Sequence, residues 1–115
     1  MNSGQELFAE RNRIKKSLDN SIQKSVENGR DAAKKTFAYR TLLSQTILEL
    51  KAEGMQISIL EKVARGDTDV AQAELDMNIA EVLYRASLEN IMAQKKLLDS
   101  IESDIKREYY RGDET

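Results

Sequence analysis

Residues 70–105, VAQAELDMNIAEVLYRASLENIMAQKKLLDSIESDI, place Val70, Met77, Tyr84, Ile91, Leu98 and Ile105 at a constant spacing of seven. Six apolar side chains at that spacing share one side only of a helix, so the stretch encodes a long helical seam. Leu75, Ile79, Val82, Leu83 and Ala86 form a second apolar set over its first half and are expected to widen the seam. That much apolar width exceeds the needs of a two-stranded zipper and suits a bundle.

On the N-terminal side of this stretch a second stripe steps by threes and fours through Ile14, Leu18, Ile22, Val26, Gly29, Ala33, Phe37, Arg40, Leu43, Ile47 and Leu50, with Leu7 and Phe8 ahead of it. Asn28-Gly29 is a stop signal in isolation, but the stripe keeps its phase across it. The reading is a continuous helix over about 3–52, weakened at Gly29 by roughly 1 kcal/mol relative to Ala, with a hinge or kink there as the alternative. Gly54 closes that helix. Ser58 with Glu61 three residues later has the capping-box pattern, and Ile59, Leu60 and Val63 make a short helix over about 58–65 that ends at Gly66. Asp67 or Thr68 then caps a last helix that reaches about residue 109, with a frayed tail from Arg111.

A connector this short lays the two long helices side by side. The expected architecture is all-α: a single helical domain over 1–115, built as a long antiparallel, coiled-coil-like hairpin with a short helix at the bend. Ala52 is expected opposite Thr68, and Arg11 near Tyr109. A bare hairpin leaves the second apolar set uncovered, which points to a homodimer in a four-helix bundle. In that assembly Val70, Met77, Tyr84, Ile91, Leu98 and Ile105 are the expected oligomer or partner interface.

Composition narrows the chemistry. The chain has no Cys and no His, which removes disulfides, thiolate and imidazole catalysis and the usual zinc or haem ligands. Carboxylates such as Glu74, Asp76 and Glu81 lie at helical spacings, yet the inward-facing metal sites of bundles need Glu-x-x-His pairs. No enzyme activity, catalytic residue, cofactor or metal is expected. Met1 to Asn12 holds no apolar run of signal-peptide length and no stretch reaches a membrane span, so a cytoplasmic protein with no membrane partner is expected.

Charge is uneven: residues 1–52 carry ten Lys/Arg against six Asp/Glu, and residues 53–115 carry eight against fourteen. Arg11, Arg13, Lys15, Lys16, Lys24, Arg30, Lys34, Lys35 and Arg40 could follow a phosphate backbone. A net charge of -2 and the lack of an aromatic stacking platform among them weigh toward a solvated face instead. Arg65-Gly66-Asp67 and Arg111-Gly112-Asp113 match a short adhesive tripeptide, but Gly66 and Asp67 are already accounted for as helix end and helix cap.

The stretch from Phe37 to Arg107, with FAYRTLLSQTILELKAEGM, ARGDTDVAQAELD and AEVLYRASLENI and the ending IKREYY, resembles uncharacterised small helical proteins of temperate phages and prophages of Gram-positive bacteria. The resemblance implies an accessory protein of the host cytosol, encoded among early replication and recombination functions. The expected function is therefore non-enzymatic: a dimeric hairpin that binds a phage or host protein. A DNA-binding accessory factor and a structural coiled-coil spacer or scaffold are the alternatives.

Overall fold

The computed structural model describes residues 4–113, and among them the chain is all-helical: α1 (Gly4–Ala52), α2 (Ile57–Gly66) and α3 (Thr68–Asp113). The expected start at Ser3 lies outside the described residues. α3 runs four residues past the expected end, and Arg111 is still helical. Contacts group the chain into two compact units, one of Met1–Val26 with Ala86–Thr115, the other of Glu27–Arg85.

In the first unit α1 and α3 are antiparallel. Asn90 Nδ2 donates to Ser21 Oγ at 3.1 Å, and one turn along Gln94 Nε2 donates to Ser17 Oγ at 3.2 Å. Leu7 and Ile91 are buried, and Ile14, Leu18, Leu98 and Ile105 are half-buried. Ser25 is buried too, its hydroxyl donating to the Ile22 carbonyl at 2.7 Å. Arg11 is not opposite Tyr109 as expected; the rungs at Ser17 and Ser21 set an offset nine residues different.

The second unit holds the bend. Gly54, at φ +91°, ends α1: its N–H donates to the Lys51 carbonyl at 3.0 Å and the Met55 N–H to the Leu50 carbonyl at 3.1 Å. Those two bonds are the Schellman pair, which needs the left-handed residue that glycine supplies without strain. α2 begins after Gln56, whose side chain makes no capping bond, so Ser58 sits inside the helix and the capping box does not form. Asp67 does cap α3, its Oδ2 accepting from the N–H groups of Asp69 at 3.1 Å and Val70 at 3.3 Å. Tyr84 lies over Gly29 and Tyr39 reaches Glu74, so α3 starts level with about residue 45 of α1 rather than with Ala52. The two last turns of α1 thus extend past the start of α3, and α2, with Leu60 and Ala64 buried, belongs to that end of the unit.

α1 passes through Gly29 without a break. A Cβ there would stand 3.0 Å from Tyr84 Cε1 and 3.3 Å from Cζ, so the missing side chain is the seat of the tyrosine ring. Between Ile22 and Arg40 the expected α1 stripe otherwise departs from the observed one, while its last members Leu43, Ile47 and Leu50 are half-buried as expected. Ile22 and Val26 are 41% and 48% exposed and Ala33 and Phe37 face outward, while Ser21, Ser25, Ala32, Thr36 and Tyr39 are the buried or half-buried positions. Steps of four from Ile14 to Val26 each overshoot a full turn by about 40°, which carries Val26 about 120° round the helix.

Candidate interaction surfaces

The heptad set lines the inside of the fold. In the second unit Val70 is fully buried, and Met77 and Tyr84 are half-buried; in the first, Ile91 is buried and Leu98 and Ile105 half-buried. These six side chains are largely enclosed within the chain, which leaves little of them for another molecule. The second set does not widen the seam. Leu75, Ile79, Val82 and Leu83 are 51–59% exposed and Ala86 is exposed as well. At 100° per residue, Leu75, Ile79 and Val82 fall opposite Val70, Ala80 and Tyr84, so α3 carries apolar side chains on two opposed faces. This distinction was present in the sequence as helical phase.

A shallow groove runs along one edge of that outer stripe, where Asp31 and Lys35 of α1 stand against Asp76, Ile79 and Leu83 of α3. At the end of the bend three helices are tied by one cluster. The Arg65 guanidinium donates to both carboxylate oxygens of Glu74, at 3.1 to 3.3 Å, and the Tyr39 hydroxyl bonds to the same carboxylate. The Tyr39 hydroxyl first, and Arg65 second, hold the Glu74 carboxyl below the usual carboxylate range; the same bond raises the Tyr39 phenol. Arg65 and Asp67 of the tripeptide are thus both engaged, one in this cluster and one as a helix cap.

In the first unit an apolar cleft of about 430 Å³ opens between Leu7 and Phe8 of α1 and Ile105, Tyr109 and Tyr110 of α3. The two tyrosine rings meet edge to face at 5.9 Å, and the Arg11 guanidinium lies over the Phe8 ring at 4.9 Å. The two tyrosines line the cleft with Leu7 and Phe8 yet stay 68% and 63% exposed.

The candidate phosphate-binding residues do not form one row. In the first unit Arg11 is stacked on Phe8 and Arg13 is paired with Glu10 at 2.6 Å, while Lys15, Lys16 and Lys24 point to different sides of α1. In the second unit Arg30 and Lys34 share a side, Lys35 turns toward the groove, and Arg40 lies on a third bearing. On α3, Glu81 and Arg85 pair across one turn at 3.9 Å. Among the described residues no cluster of three acidic, Cys or His side chains is placed to hold a metal ion, and no helix is long and apolar enough to cross a membrane. No protein-family model, curated protein or solved structure matches the chain.

Proposed function

We propose that this chain is a non-enzymatic interaction protein of phage origin, a self-associating helical hairpin that engages a phage or host protein in the host cytosol. The observation that carries the reading is the outer stripe of α3, where Leu75, Ile79, Val82 and Leu83 each expose more than half of their surface within two turns. A helix already packed on one side has no internal use for a second apolar face, and such a face is the ordinary signature of an association surface. A pair of copies contributes two long helices each and so forms a four-helix arrangement, with the remaining apolar and charged surface free to occupy a partner. The resemblance of residues 37–107 to small phage proteins supports the biological setting.

Size-exclusion chromatography with light scattering tests this reading. The expected result is a mass of at least two chains at micromolar concentration. A monomer at every concentration, together with no partner recovered from phage-infected lysate by the tagged protein, would overturn it.

A further inference from the structure

The second unit carries two apolar stripes, and their bearings and charges differ. On α3 the stripe of Leu75, Ile79, Val82 and Leu83 reaches the groove, in which Ile79 and Leu83 face Asp31 and Lys35. On α1, Ala33 and Phe37 lie two residues beyond Asp31 and Lys35, about 200° further round the helix, and so on the far side from that groove. Leu48, eleven residues on, returns to the same bearing as Phe37. Phe37 is 73% exposed and Leu48 65%, the largest exposures of any bulky apolar side chains on α1. The two stripes therefore look in opposite directions from the unit.

Their borders are of opposite sign. Arg30, Lys34, Arg40 and Lys51 lie within about 60° of the α1 stripe at Phe37, against one acid near it, Glu27 at about 80°, while Asp31 and Glu49 lie about 120° away. Along α3, Asp69 and Asp76 border the stripe on its groove edge; Arg85, the one cation in residues 68–85, borders the other edge and is paired with Glu81. Packing α3 on α3 of a second copy would set like charges together, which is unfavourable. Packing it on α1 of a second copy matches an acid-edged stripe with a base-edged one.

Resting on the reading of the α3 stripe as an association surface, we infer that its occupant is the α1 stripe of a second copy, Phe37 and Leu48 seated over the two ends of the α3 stripe, Leu75 and Ala86, which are likewise eleven residues apart. Such a contact joins two different faces. Each copy added leaves one α1 stripe and one α3 stripe open, so association continues past the dimer unless the rotation closes a ring.

Two variants test the pairing with the full chain. Ile79→Ser/Val82→Ser removes the α3 face and Phe37→Ser/Leu48→Ser the α1 face. All four side chains are at least half exposed, so both variants keep the fold, which circular dichroism verifies. Light scattering of the unmodified chain is expected to show a mass that rises beyond two copies with concentration and falls as added salt screens the charge rows. Each variant alone is expected to be a monomer, and an equal mixture to give a one-to-one heterodimer that grows no further. A dimer abolished by the α3 variant but untouched by the α1 variant would overturn this pairing while leaving self-association through α3 standing. An unmodified chain that stays monomeric would overturn both.

Discussion

Gly29 and Tyr84 show how one residue can carry two contradictory signals. In isolation Gly29 reads as a helix defect worth roughly 1 kcal/mol against Ala. In the fold its missing Cβ admits the Tyr84 ring at 3.0 Å. Gly29→Ala should therefore yield less than the full propensity gain in the native background and recover it, about 1 kcal/mol, when Tyr84 is also Ala. Urea unfolding of the four proteins in that cycle measures the coupling, and strict additivity would refute the contact. Glu74 supports a second prediction. Its folded carboxyl titrates below its ordinary value, so its contribution to stability is present above the ordinary carboxylate pKa and vanishes as pH falls through the lowered one. Thermal unfolding should find Glu74→Gln less stable than the native chain at neutral pH and equal to it in strong acid. Tyr39→Phe should lose its deficit at the other extreme, as pH rises through the raised phenol. Neither cluster was legible beforehand, because Tyr39, Arg65 and Glu74 come from three helices whose alignment periodicity alone leaves open.

At the scale of elements, the punctuation was read well where it depends on backbone conformation. Gly54 takes the positive φ that only glycine adopts freely, and Asp67 accepts from two N–H groups of the first turn of α3. Asp67→Ala should cost about 1 kcal/mol and Asp67→Asn far less, while Ser58→Ala should cost at most a few tenths, since that hydroxyl caps nothing. Denaturant midpoints of these three variants rank the caps directly, and a large loss at Ser58 would contradict the observed start of α2. The inner face of α1 differs from its bulky apolar row for a physical reason. Ile22, Val26 and Phe37 turn outward, whereas small residues such as Ser25 and Ala32 turn inward, where close approach gains more than bulk. The alignment along the seam was also out of reach, because two helices with regular apolar rows can slide past each other and bury similar sets.

For the whole molecule, the all-helical class and its three elements could be read from the chain, yet which apolar face is buried and which is left over required contacts. Val70 and Val82 make the contrast testable. Val70→Ala removes two buried methyls and should cost about 2 kcal/mol. Val82→Ala, at a side chain 59% exposed, should change stability by less than about 0.5 kcal/mol and reduce the assembled mass instead. Equal losses of folding stability in the two variants would mean that the outer stripe of α3 is part of the core.

The carboxamide-to-hydroxyl rungs at Asn90–Ser21 and Gln94–Ser17 have a wider consequence. An apolar repeat by itself is a ruler without numerals: a shift of α3 by one period looks almost the same to the hydrophobic effect. The rungs add the numerals, since the same shift would bring Asn90 onto Ile14, or carry Gln94 from Ser17 to Lys24, and lose both carboxamide-to-hydroxyl bonds. Lengthening this stretch of α3 by seven residues would thus preserve its greasy phase and still lose both bonds, so an insertion of a whole period should cost more than the apolar repeat alone predicts.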